Sequence, residues 1–180
     1  MGVALADVNG DKKLDAIAAS GSGNHVAVLL GNGDGTFQAA VTTALGTSAA
    51  AVATGDLDLD GKVDVVVAEK SAGNVAVLLG QGSASLKPPV TSALLGAASV
   101  ALADLDRDGY PDVVAAGSAL SFSVFPSNRT GGLAAATATP LTTAASGVAV
   151  GDLTGDSLPD LVVTQPAPTR AVSAFLNVSQ

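Results

Sequence analysis

Apolar positions fall along this chain in short bursts broken by polar segments, at no point holding a helical spacing. Four bursts are nearly the same: Val-Ala-Leu-Ala at 3–6, Val-Ala-Thr-Gly at 52–55, Val-Ala-Leu-Ala at 100–103 and Val-Ala-Val-Gly at 148–151. Each is too short for a helix and runs straight into an acidic segment, which predicts a buried first strand. A second burst follows, as at 63–68 and 158–164, then a Gly/Ser/Asn turn such as 20–24 or 70–74. The third burst is Val-Ala-Val-Leu-Leu-Gly at both 26–31 and 75–80, and after a glycine turn at 32–35 a polar fourth strand is expected around 38–43. No stretch combines a helical period with caps, so the chain reads as all-β.

Val3, Val52, Val100 and Val148 bring the units into register at a period of about 48 residues. The 180 residues therefore read as a single repeat domain with units at approximately 1–49, 50–97, 98–145 and 146–180. A unit of four strands, small and apolar first and polar last, suits a blade of a β-propeller. The strands near the axis are crowded, and the outermost faces solvent. A solenoid of stacked sheets would show a shorter period. The expected fold is a β-propeller of four-stranded antiparallel blades, the last of which ends inside or just after its third strand and lacks its outer one.

Composition sharpens this. The chain is 48% hydrophobic with only 3% aromatics, so its core must be built from closely packed Ala, Val and Leu. No run approaches the roughly 18 apolar residues of a membrane span. The opening residues 1–6 read as part of the first unit rather than as a signal peptide. The absence of cysteine removes disulfides, thiolate catalysis and Cys-based zinc sites.

The acidic segments carry the chemistry. Each opens on Asp and holds oxygen-bearing side chains at positions 1, 3, 5 and 9: Asp7, Asn9, Asp11 and Asp15; Asp56, Asp58, Asp60 and Asp64; Asp104, Asp106, Asp108 and Asp112; Asp152, Thr154, Asp156 and Asp160. They hold 14 of the 16 acidic residues, leaving Asp34 and Glu69 elsewhere. Carboxylates packed this closely repel unless a cation sits among them. Calcium takes six to eight oxygens and accepts alternate side chains plus a backbone carbonyl from one loop, here the carbonyls at position 7, Lys13, Lys62, Tyr110 and Leu158. The expectation is Ca²⁺, up to four ions, one per unit.

Competing readings fail on particular residues. An EF-hand needs a carboxylate at position 12, where this chain has Ala18, Val67, Ala115 and Val163. Magnesium demands near-octahedral geometry, and transition metals ask for His or Cys, which one histidine cannot supply. The remaining alternative is an acidic turn whose Asp side chains cap their own backbone. Tighter binding is expected in units two and three, because unit four has Thr154 for an acid and Ser157 for the glycine, and unit one moves its glycine to Gly10.

The formal net charge of −8 argues against nucleic acid, and four calcium ions would cancel it. Weak calcium sites suit an extracellular or periplasmic setting.

The pattern Asp-x-Asp/Asn-x-Asp-Gly-x-x-Asp followed by an apolar strand resembles the FG-GAP or VCBS repeats, the blades of integrin-α-type calcium-binding propellers. That resemblance covers nearly the whole chain. It implies that the loop between first and second strands binds calcium on one face while ligands meet the opposite face. It also implies seven blades, where this chain has four units. Three outcomes follow: a tight four-bladed ring, a homodimer completing an eight-bladed ring, or a fragment.

Function is then expected to be non-enzymatic: a module for protein or carbohydrate binding or adhesion, with structural metal. Its binding surface would be the loops at 20–24, 69–74, 117–119 and 165–170 and the turns near Gly46, Gly96 and Ser146, which name no ligand. A lectin would use the aromatics Phe37, Tyr110, Phe122, Phe125 and Phe175, which read more readily as packing residues. An enzyme such as a propeller lyase or hydrolase would need free carboxylates, and the turns of Asp34 and Glu69 are expected on opposite faces of the blade. His25 reads as a solvated turn residue. A bare scaffold whose activity is self-assembly is the third reading. The tripeptides at 128–130 and 177–179 match the glycosylation sequon and receive no role.

Overall fold

The computed structural model describes residues 1–166 and 170–178. Each repeat unit forms its own antiparallel sheet with strands in sequence order. Blade one holds β1 (Gly2–Ala6), β2 (Asp15–Ala19), β3 (His25–Leu29) and β4 (Val41–Ala44). Blade two holds β5 (Ala51–Gly55), β6 (Asp64–Glu69), β7 (Asn74–Leu78) and β8 (Val90–Ala93). Blade three holds β9 (Ser99–Ala103), β10 (Asp112–Ala116), β11 (Ser121–Phe125) and β12 (Thr137–Pro140). Among the described residues, blade four has three strands, β13 (Gly147–Gly151), β14 (Asp160–Gln165) and β15 (Ala171–Phe175). The described residues contain no helix, so none is long and apolar enough to cross a membrane.

The blades stand face to face along a file of first strands, β1 against β5, β5 against β9 and β9 against β13. Small residues permit that approach. A Cβ on Gly2 would lie 2.8 Å from the backbone nitrogen of Val52 on β5, too close for any side chain. Three apolar cores fill the spaces between blades. Because successive strand residues point to opposite faces, Val65 and Val67 of β6 enter the core shared with blade one while Val66 and Ala68 enter the core shared with blade three. That double burial explains the unbroken apolar run of β6.

The strands differ from the sequence reading by a few residues. Second strands begin at the ninth loop residue, as at Asp64 and Asp160, because that Asp is hydrogen-bonded into the sheet end. The fourth strand of blade one starts at Val41, preceded by an isolated bridge from Gly31 to Phe37.

Candidate metal centre

The nine-residue loops join first to second strands at one end of every blade and are organised by their own side chains. The position-1 carboxylate folds the loop over itself. Asp56 accepts the backbone N–H groups of Asp60 at 3.1 Å and Gly61 at 2.8 Å. Asp104 accepts those of Asp108 and Gly109, Asp7 those of Gly10, Asp11 and Lys12, and Asp152 those of Gly155 and Ser157. At position 3, Asn9, Asp58 and Asp106 each accept the N–H of the residue two further on. At position 5, Asp11, Asp60, Asp108 and Asp156 accept the N–H of the position-7 residues Lys13, Lys62, Tyr110 and Leu158. Successive Asx turns therefore bend the chain around one centre.

Two residues in every loop adopt positive φ, at positions 4 and 6: Gly10 and Lys12, Leu59 and Gly61, Arg107 and Gly109, Gly155 and Ser157. The glycine that changes place between units thus always occupies one of two left-handed positions. The backbone is the same in all four, and the other position strains a side chain.

The position-9 residues play a different part. Asp15, Asp64, Asp112 and Asp160 are all buried. One oxygen accepts the N–H of loop position 2 (Val8, Leu57, Leu105 or Leu153) and the other an N–H beyond the third strand (Gly31, Gly80, Ser127 or Asn177), at 2.8–3.1 Å. This second partner was not anticipated from sequence. The available signal was the glycine closing each Val-Ala-Val-Leu-Leu-Gly run: a Cβ on Gly80 would lie 2.1 Å from the carbonyl oxygen of Val63.

Among the described residues, Asp56, Asp58 and Asp64 bring one oxygen each to within 4.8 Å of one another, as do Asp104, Asp106 and Asp108. In blade two Asp60 is turned toward Lys62, whose Nζ lies 2.5 Å from its Oδ2. Asp108 pairs with Arg129 at 2.8 Å, and Asp11 lies 3.7 Å from Lys13. These neighbours and the loop N–H groups hold the carboxyls of Asp11, Asp60 and Asp108 below the usual carboxylate range. For Asp60 the larger influence is Lys62; for Asp11 and Asp108 it is the N–H of position 7. Asp152 is lowered by the N–H groups of Gly155 and Ser157. Burial instead raises Asp64 and Asp112, against the pull of their two N–H donors. In unit four Asp152, Thr154 and Asp156 are exposed.

Asp34 accepts both the N–H and the hydroxyl of Thr36. Glu69 is buried, and its Oε1 has no hydrogen-bond partner. Nδ1 of His25 lies 2.8 Å from the carbonyl oxygen of Gly23. Phe122 and Phe125 are buried, Phe122 packs edge-on to Phe175 at 4.8 Å, and Tyr110 carries the guanidinium of Arg129 over its ring. Of the expected binding loop at 165–170, residues 167–169 lie outside the described residues, as does Ser179 of the second sequon.

Four copies of one loop, each folding onto its first carboxylate between the first and second strands of a blade, define a repeat. The family model of the FG-GAP-like repeat matches residues 7–67, 56–115 and 104–163. The chain belongs to the FG-GAP-like repeat family. Overlapping matches run from one acidic loop into the next blade, so the FG-GAP unit and the blade share their period.

Solved structures similar to this FG-GAP chain are propellers. A lectin of Agrocybe aegerita that recognises non-reducing terminal N-acetylglucosamine is 21% identical, with a TM-score of 0.65 over 97% of this chain and 49% of the lectin. BBS1N, solved in complex with ARL6DN, is 11% identical, with a TM-score of 0.66 over 99% of this chain and 57% of its own. The V. cholerae biofilm matrix protein Bap1 is 21% identical, with a TM-score of 0.51 over 96% of this chain and 36% of Bap1. The chain thus spans about half or less of these relatives' length, and the likeness is one of fold. No match was found among curated proteins.

Proposed function

We propose that this chain is a calcium-binding, non-enzymatic propeller module for protein or glycan binding and adhesion outside the cell or in the periplasm, its metal structural. One observation carries the metal reading: oxygens of Asp56, Asp58 and Asp64 converge within 4.8 Å, and so do those of Asp104, Asp106 and Asp108. Oxygens bound to one Ca²⁺ at roughly 2.3–2.6 Å stand no more than about 5 Å apart, so the donor set fits. Side chains at positions 1, 3, 5 and 9 with the position-7 carbonyl would hold the ion: Asp7, Asn9, Asp11, Asp15 and Lys13 in unit one, and their counterparts Asp152, Thr154, Asp156, Asp160 and Leu158 in unit four. Bound there, calcium would neutralise the converging carboxylates and lock the two left-handed residues of each loop.

The case against catalysis rests on the acids outside the loops. Asp34 is occupied by Thr36 and Glu69 is buried at the other end of a blade, so no pair of free carboxylates faces a common space. Similarity to a lectin and to a biofilm matrix protein supports the binding reading.

Self-assembly is a second reading, favoured by the apolar faces that blades one and four leave open. Thermal unfolding in calcium and in chelator tests the metal reading. A large rise of the melting temperature in calcium is expected, since a ligand held only by the folded state stabilises it. Identical curves would sink it.

A further inference from the structure

Blade one presents Val3 and Leu5 to solvent at 60% and 58% exposure, and blade four presents Val172 at 70% on its far face. Both ends of the stack are therefore open apolar sheets. We propose that they are the two halves of one joint, closed by a second copy of this chain so that blade one of each copy packs on blade four of the other. This rests on the self-assembly reading and deepens it by assigning the contact.

The joints inside the chain supply the argument. Between blades two and three, Leu102 of β9 lies over Gly55 of β5, where a Cβ would come within 2.9 Å of its methyl group. Two repeats before Leu102 its counterpart is Leu5, and two repeats after Gly55 its counterpart is Gly151. Leu5 is exposed, and nothing lies within 4 Å of a Cβ placed on Gly151. The leucine and the vacancy that would receive it are at opposite ends of the same chain.

A second contact obeys the same rule. The apolar side chain at loop position 2 enters the joint with the following blade, next to the residue that closes that blade's last turn: Val8 shares a core with Leu86, and Leu57 with Leu133. In blade four that side chain is Leu153, 53% exposed. In blade one the receiving residue is Phe37, which lines a cavity of about 450 Å³ together with Leu5 and Leu14. The cavity, lined also by Lys12 and Lys13, lies against the counterpart of Leu86 and Leu133, so Leu153 of a second copy would enter there. A two-fold axis along the ring covers both faces at once.

Light scattering on the full chain after size exclusion, with calcium and with chelator, tests this. The expected mass is twice 17.2 kDa. Leu5→Asp and Val172→Asp, each on an exposed position, should each reduce it to 17.2 kDa, while an equimolar mixture of the two variants should recover a two-chain particle through the one joint that carries neither substitution. A wild-type mass of 17.2 kDa throughout the micromolar range would overturn the proposal. So would a dimer that survives Val172→Asp but not Leu5→Asp, since blade one would then be meeting blade one. If Leu5→Asp loses its β-sheet circular dichroism, Leu5→Ser replaces it. Calcium uptake measured on the same variants separates this outcome from the metal reading, which requires uptake to persist when the mass falls.

Discussion

Asp64 accepts the backbone N–H of Gly80 at 2.8 Å, tying the start of β6 to the chain beyond β7. Its other oxygen holds the N–H of Leu57 in the acidic loop. One side chain thus joins loop, second strand and third strand, and the same device recurs at Asp15, Asp112 and Asp160.

Removing that latch should cost stability with or without metal. Asp64→Ala would leave two buried N–H groups without acceptors, a loss of about 2–4 kcal/mol. Asp58→Ala, whose side chain reaches only a neighbouring loop N–H, should be nearly neutral in chelator and matter only in calcium. Urea unfolding of both variants under both conditions checks the contrast.

The left-handed positions make a second test. Gly61→Ala should destabilise the protein by about 1 kcal/mol, because φ there is +82°. Leu59→Gly should be neutral or stabilising, by less than about 1 kcal/mol, since Leu59 already bears the strain at φ +57°. A shift of the denaturation midpoint in the opposite direction for either would show that the loop backbone is not held this way.

Glu69 and Gln165 occupy equivalent positions with opposite success. Gln165 donates to the carbonyl oxygen of Thr143 at 3.2 Å and accepts from Ser173, whereas Glu69 leaves its Oε1 unpartnered. Glu69→Gln should raise stability by about 1 kcal/mol. A melting temperature unchanged or lowered would contradict this.

In chelator the pH dependence should reverse across the carboxylate range. Asp64 and Asp112 are raised above 3.8 by burial, so their contribution is full below 3.8 and is lost as pH rises through their folded values. Asp11, Asp60, Asp108 and Asp152 are lowered, so theirs is present above 3.8 and lost as pH falls. The melting temperature of the metal-free protein should therefore rise as pH falls from neutrality toward 3.8 and fall again below it. Melting curves across this series check it; a steady fall from pH 7 downward would contradict the burial of Asp64 and Asp112.

Much of this was legible in the chain because the repeat made each residue testable against its counterparts. The short apolar run from Val65 to Ala68 marks a buried strand, and the recurring Asp positions mark a loop, whatever the surroundings. What could not be read was partnership across distance. Asp64 looks the same in sequence as Asp58, yet the first is buried in the sheet and the second lies at the rim. The wandering glycine of units one and four read as a weakness, and only the backbone angles at Lys12 and Ser157 reveal one conformation in all four loops. Phe37 gave no sign of being a socket, since that depends on Leu86 and Leu133 being filled positions of the same joint.

Calcium titration followed by isothermal calorimetry is the most direct test of the central claim, that the acidic loops are metal sites of a structural module. Saturable binding of up to four ions per chain is expected, tightest in blades two and three, with Asp58→Ala removing one ion and leaving the others nearly unchanged. Absence of binding heat at millimolar calcium, together with equal melting temperatures in calcium and chelator, would contradict it.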